Sequence, residues 1–415
     1  MTRQGHNFSE IPHETWVVFV VRTVNSIGFS ATIPFLAVYL FKVRYVPLSE
    51  IGLVYLASGI IGLASQMIGG RLTDSIGPKK VMLTAYLSSL LFSIMLGYLV
   101  LIQANVAMFF FIYPAFSLFR GISQPATSSI IAEQRASNVR TGFSLLSIGG
   151  NLGFAIGPAL GGIFATIYSY SSVFAISATS SMAVLLISSI WITGGIRNSS
   201  EGSVSGKTRL MLSWEHDRNI ILFLCLTFCL FLAVGYEIVP LSLYSSDFLH
   251  LSDNLIGYLF ATNGLTIVIL QLPLTKLIEK SKMLVRPLVI SSLFTTASFL
   301  IASVSTNFVD LEVMMFVITL GEIFLSVPAQ TIIALFSRSG NRGTYQGYYS
   351  AASSAGRSVA SFVGPLSFSL FAYDPPLSWY AIATFALLAG LGFAILSPAL
   401  QKDYENTLSR IARKA

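Results

Sequence analysis

Five charged side chains stand inside apolar stretches where charge is otherwise scarce: Arg22, Arg120, Glu237, Glu322 and Arg357. An unpaired charge in hydrocarbon costs at least ~2.5 kcal/mol even on the lenient insertion scale, so each should face a packed interior or a wet cavity. The two carboxyls are the natural proton carriers. Burial favours the neutral acid and a nearby guanidinium favours the carboxylate, so a conformational change that alters either contact loads or releases a proton. Glu237 lies in VGYEIVP beside Pro240, and Glu322 lies in TLGEIFLSVP, nearer the middle of its stretch. Static ion pairs with the arginines are the competing reading. Three arginines against two glutamates leave a formal positive charge, which also suits an anionic solute.

Uncharged polar groups are the next candidates. Asn25, Gln124, Asn151 and Asn263, with Gln66, Gln271 and Gln330, fall within the same apolar stretches. They can line a cavity or hydrogen-bond between helices, the more frequent role. With 31 Phe and 17 Tyr, an aromatic cavity for lipophilic cations is chemically available. Tyr39, Tyr236 and Tyr244 neighbour the proline segments around Pro34 and Pro240. The histidines, His6, His13, His216 and His250, sit in the tail, in loops or at a span edge, which leaves no intramembrane metal cluster or histidine acid–base pair. No phosphate-binding Walker loop occurs, and GLGFA at 390–394 has no strand before it. Neither an enzyme nor a cofactor or metal is expected. Cys225 and Cys229 are one helical turn apart, where packing rather than a disulfide is expected.

The elements that must position these residues follow from composition. The chain is 54% hydrophobic and 10% charged, with mean hydropathy +0.73, too apolar for a soluble domain. Twelve runs are long enough to span a bilayer: near 16–41, 50–73, 80–103, 106–132, 142–167, 171–193, 219–247, 253–278, 284–304, 310–336, 344–371 and 377–398. The first is too long and wrongly flanked for a removable signal sequence. With the N-terminus cytoplasmic, nearly all Lys and Arg outside the spans fall on that side, and only Lys42 and Arg44 face outward. The positive-inside rule then places both termini in the cytoplasm of a multi-pass protein of the cell membrane. The pI near 9.3 reflects that topology and contact with anionic lipid, with no call for nucleic acid.

The halves repeat each other. Gly52 and Gly257, Gly59 and Gly264, Gln66 and Gln271, and Asp74 and Glu279 are each 205 residues apart. Pro34 recurs as Pro240, and Gly157-Pro158 as Gly364-Pro365. The expected organisation is a six-helix bundle over 1–193, a cytoplasmic linker over 194–218 containing NSSEGSVSGK, and a second six-helix bundle with a tail over 219–415. Two parallel repeats suggest alternating access around a site near the bilayer midplane.

Two motifs carry a family resemblance. GRLTDSIGPKKVM, residues 70–82, resembles the loop signature of the major facilitator superfamily, with Gly70, Leu72, Asp74, Gly77 and Lys79 matching; Ser75 and Pro78 stand where that family usually has arginine. In NLGFAIGPALGGIFA, residues 151–165, the positions Gly153, Gly157, Pro158, Gly161 and Gly162 resemble the fifth-helix antiporter motif of the drug/proton exporters within it. The glycines recur along one helix face, on which another backbone can approach closely, and Pro158 introduces a kink. FRGISQPATSSIIAE matches the fourth-helix arginine motif only in part, since Arg120 directly precedes Gly121.

The resemblance implies an all-α membrane protein of twelve transmembrane helices in two pseudo-symmetric six-helix bundles. It also implies a monomeric proton-coupled exporter of small amphipathic or cationic compounds. Glu237 and Glu322 would then handle protons or cationic substrate, tuned by Arg22, Arg120 or Arg357. Proton-coupled uptake of an organic anion or sugar is the alternative, and a non-transporting scaffold or receptor a remote one.

Overall fold

The computed structural model describes residues 12–132, 136–192, 214–280, 285–336, 342–371 and 374–412. The expected linker lies outside them as far as residue 213. Among the described residues the regular structure is helical. The first half carries α1 (His13–Lys42), α2 (Leu48–Ile76), α3 (Pro78–Leu101), α4 (Phe109–Ala132), α5 (Ala136–Ile167) and α6 (Tyr170–Trp191). The second carries α7 (Trp214–Val234), α8 (Val239–Asp247), α9 (Asp253–Lys280), α10 (Arg286–Val304), α11 (Phe308–Phe336), α12 (Arg342–Leu370) and α13 (Pro376–Ala412). Ten segments among the described residues are long and apolar enough to cross a membrane, with α7 and α8 together making one of them. The other two, α11 and α12, have 29 residues each, about 43 Å at the helical rise, which also spans the hydrocarbon. Large side chains left exposed, such as Met67, Ile269, Leu272 and Ile395, suit a lipid environment.

The seventh span departs from a continuous helix. Pro240 has no amide hydrogen, and its ring would strike the Tyr236 carbonyl in an unbroken helix. The chain instead tightens into a 3₁₀ turn at Gly235–Glu237, turns at Ile238 (φ −97°, ψ −87°) and restarts as α8 with Pro240 in its first turn. Glu237 is therefore held at a break. The last helix runs past its apolar stretch, to Ala412, because the polar residues that follow Pro398 are good helix formers.

Close-packed helices divide the chain into two units. Unit 1 comprises 1–45, 60–201 and 252–264; unit 2 comprises 46–59, 202–251 and 265–415. In unit 1, α1 packs on α5 and α6, and α3 on α4 and α6. Val17, Val18, Val21, Val81, Met82, Tyr86 and Ile131 form a core between them. In unit 2, α10 packs on α11 and α13, and α7 on α12 and α13. Its aromatic core brings together Tyr236, Tyr244, Phe299, Phe368 and Trp379.

The repeat explains why α2 and α9 each change unit partway along. The first part of α9 lies in unit 1 against α5: a Cβ on Gly257 would sit 2.5 Å from the Pro158 carbonyl oxygen, and Gly264 has no room beside Ala155. The first part of α2 lies in unit 2 against α12, where Gly52 meets Phe362 and Gly59 meets Ser358. The two repeated glycine pairs thus do the same work, letting backbones touch where the bilayer offers no hydrophobic drive for association. Tyr39 and Tyr244 are also repeat equivalents. Each donates its hydroxyl to the end of the matching helix, Tyr39 to the Val100 carbonyl at 3.4 Å and Tyr244 to those of Ala302 and Ser305 at 3.4 and 3.5 Å.

Candidate functional site

Three of the five charged side chains come together in unit 2. Nη2 of Arg357, from α12, lies 3.2 Å from Oε1 of Glu322, from α11. Glu237, carried on the break between α7 and α8, is 5% exposed and lies within hydrogen-bonding reach of the Glu322 carboxyl, with Arg357 in electrostatic range. Its Oε2 is buried and has no hydrogen-bond partner among the described residues. The Arg357 guanidinium sits 5.0 Å from the Phe231 ring centroid.

Local sequence builds this geometry. Gly235 lets α12 close on the 3₁₀ turn, since a Cβ there would lie 2.9 Å from the Arg357 Cα. Pro240 packs in turn against Gly364, the second-half counterpart of Gly157. With both acids ionised the cluster carries one net negative charge, and a single proton or a single external cation makes it neutral.

The other two arginines meet in unit 1, with no acid beside them among the described residues. The guanidinium of Arg120, from α4, stacks on Phe29 with its carbon 3.2 Å from the ring centroid, and its Nε is buried without a hydrogen-bond partner among those residues. Arg22, from α1, lies near enough to repel it, and the phenols of Tyr86 and Tyr113 are also in electrostatic range. Arg22 lies along α5 where Gly150 leaves space for it. A cavity of about 170 Å³ opens beside Arg22, walled by Gln124, Thr127, Ser128, Phe143 and Ser147.

The remaining candidates are placed individually. Asn25 is half-buried in α1, Asn151 is half-buried in α5 and engaged with a neighbour, and Asn263 is buried and engaged in α9. Tyr236 is 2% exposed within the aromatic core, its ring centroid 6.2 Å from those of Phe299 and Trp379. In the loop motif, Gly77 adopts φ +88°, a conformation that favours glycine, and starts α3. Nζ of Lys79 donates to the Ser189 carbonyl at 3.0 Å, Asp74 is exposed, and Gly70 has open space around it.

The glycine-rich stretch of α5 serves two partners. Gly153, Gly157 and Gly161 lie against α1, where added methyls would meet Thr23, Ile27 and Ala31 carbonyl oxygens at 2.5–2.7 Å. The Ser30 hydroxyl donates across that seam to the Gly153 carbonyl at 3.0 Å. Gly162 and Pro158 face the first turns of α9 instead, with the Asn254 Cα 3.0 Å from a Cβ on Gly162. The same contact holds the Asn254 amide on the Thr166 hydroxyl at 3.2 Å and the Asp253 carboxyl on Tyr170.

Several of these partners were not singled out from sequence. Phe29 and Phe231 look like ordinary apolar residues of their spans, and their role depends on which helix brings an arginine over them. Gly235 had a readable signal, two residues before Glu237 in VGYEIVP. The match of Tyr39 with Tyr244 was readable from the 205-residue repeat.

Comparisons with known proteins agree with this architecture. The family description "Major Facilitator Superfamily" matches residues 18–361. "Uncharacterized MFS-type transporter YqjV" of Bacillus subtilis (strain 168) is 22% identical over 391 residues, covering 91% of this chain and 92% of that protein. "Multidrug resistance protein MdtG" of Dickeya zeae (strain Ech586) is 27% identical over 279 residues, covering 64% of this chain and 67% of that protein. Among solved structures, the nucleoside transporter NupG superposes with TM-score 0.76 at 13% identity, over 93% of this chain and 99% of that one. A POT family transporter in complex with 5-aminolevulinic acid superposes with TM-score 0.77 at 14% identity, over 95% and 98%. At such identities the superpositions speak for the fold alone. The helices, the internal repeat, the loop motif and the match across most of the chain lead to one conclusion: this protein belongs to the major facilitator superfamily and is a multi-pass membrane transporter.

Proposed function

We propose that the protein is a proton-coupled exporter that exchanges protons for small amphipathic or cationic compounds by alternating access. The observation that carries this reading is the cluster of two acids and one arginine at Glu237, Glu322 and Arg357. Arg357 balances one carboxylate. The second is neutralised either by a proton or by the positive group of a solute, and an uncompensated charge in the membrane interior costs at least ~2.5 kcal/mol. Proton and cation therefore compete for one negative charge, which makes their occupancy mutually exclusive and their movements opposite. Each proton entering down ~100 mV contributes about 2.3 kcal/mol, and each pH unit adds about 1.4 kcal/mol.

Further support comes from the fifth-helix motif, whose Gly162 and Pro158 pack against α9, and from the likeness to a protein named for multidrug resistance. The proposed arrangement places bundles over 1–193 and 219–415 and both termini in the cytoplasm of a monomer in the cell membrane. The test uses everted vesicles with an imposed pH gradient. A lipophilic cation should release the stored gradient, and Glu322→Gln should abolish the release; a gradient unmoved by a panel of such cations contradicts the reading.

A further inference from the structure

The second group of buried charges, in unit 1, has a different composition and points to a different ligand. We propose that Arg22 and Arg120 form a binding site for a compact oxyanion, either free or as the head of a small organic acid. Four observations support this.

First, no carboxylate among the described residues pairs with either guanidinium; the electrostatic neighbours of Arg120 are Arg22 and two phenols. Two like charges held near each other inside a membrane protein repel, and a bound anion offsets both at once. Second, the stacking of Arg120 on Phe29 uses the face of the guanidinium and leaves its edge, while the buried Nε has no hydrogen-bond acceptor among the described residues. A buried charged donor without an acceptor is costly, and the planar fork of arginine matches an oxyanion.

Third, the cavity beside Arg22 presents the Gln124 amide and the hydroxyls of Ser128 and Ser147 as neutral hydrogen-bonding groups, with Thr127, Phe143 and Leu146 completing its wall. Arg22 lines the cavity and Arg120 does not; Arg120 is related to it through α4, where Gln124, Thr127 and Ser128 follow Arg120 at helical spacing and share its face. Fourth, the volume of about 170 Å³ lies below the ~300 Å³ at which pockets for drug-sized ligands begin. It fits a carboxylate or phosphate group, with any organic remainder outside the cavity.

The proposal is independent of the export reading, because Glu237, Glu322 and Arg357 take no part in it. It is tested by thermal unfolding of the purified full chain in detergent. Inorganic phosphate and benzoate are titrated separately against chloride at equal ionic strength. Stabilisation by both assigns the site to free oxyanions, and stabilisation by benzoate alone assigns it to organic acids; either outcome supports the proposal.

Arg22→Gln and Arg120→Gln should each weaken the response roughly tenfold or more, as expected for loss of a charge-assisted hydrogen bond. Arg22→Lys and Arg120→Lys, which keep the charge without the fork, should give an intermediate loss. Gln124→Ala, at the cavity wall, provides a variant that leaves both arginines in place and should also weaken the response. Glu322→Gln should respond like the unaltered chain, which separates this result from the fate of the export reading. No stabilisation beyond chloride, or an undiminished response in the Arg22, Arg120 and Gln124 variants, overturns the proposal.

Discussion

Removing Arg357 should destabilise the protein much more than removing the Glu322 charge with which it pairs. The asymmetry comes from exposure: the Arg357 side chain is 39% exposed and that of Glu322 is 11% exposed. Glu322→Gln leaves a guanidinium that can reach solvent and still faces Phe231 at 5.0 Å, so its cost should lie between the values for exposed and buried pairs, about 1–2 kcal/mol. Arg357→Gln instead strands two carboxyls, Glu322 and the 5% exposed Glu237, and should cost close to the full ~3–5 kcal/mol of a broken buried pair. The double variant relieves one of those stranded charges and should be more stable than Arg357→Gln alone. The coupling energy is expected at about 1–3 kcal/mol. Unfolding in mixed micelles, followed by tryptophan fluorescence for all four proteins under one condition, measures the cycle. Equal single-variant costs that add in the double variant would refute the argument that the arginine balances a shared pair.

Two further predictions concern the glycines and the α5–α9 contact. Gly157→Leu should destabilise by about 1–3 kcal/mol or more, because the added atoms meet the Ile27 carbonyl oxygen, part of a backbone that cannot yield. Gly70→Ala, at a position with nothing within 4 Å, should stay within about 0.5 kcal/mol of the parent; thermal unfolding of both variants in one detergent checks the contrast. Cysteines placed at Thr166 and Asn254, where the backbone N–H of Asn254 lies 3.2 Å from the Thr166 hydroxyl, should cross-link after Cys225 and Cys229 are replaced by serine. If α5 and the start of α9 must part during the transport cycle, that link should stop transport and a reductant should restore it, as measured by solute flux in vesicles.

Much of the fold was legible because its signals are local. Apolar runs of about twenty residues mark the spans, and a repeat of small residues at equal offsets marks both halves. The break in the seventh span was not legible, since Pro240 permits it without dictating it: its repeat counterpart Pro34 lies inside the unbroken α1. The extension of α13 was not legible from hydropathy, since a helix can leave the apolar layer without changing its backbone.

The candidate site was legible only as a set of residue types. Hydropathy singled out five charges within the spans, but their partition into an acid-containing cluster and an arginine pair depends on which helices touch. Arg357 meets Glu322 because α12 packs on α11, and Arg120 meets Phe29 because α4 crosses α1. The α5 motif shows the same limit. Its spacing announced a close approach, yet only packing separates the glycines that face α1 from Gly162, which faces α9.

The most direct measurement of the central claim is proton release on solute binding. Purified protein in weakly buffered detergent solution is mixed with a lipophilic cation in the presence of a pH-indicating dye, below the pH at which the acid pair loses its proton. The account predicts release of about one proton per cation bound, by linkage between two ligands of one charge, and none from Glu237→Gln or Glu322→Gln. Saturable cation binding with no proton released, or the same release from both variants, would contradict it.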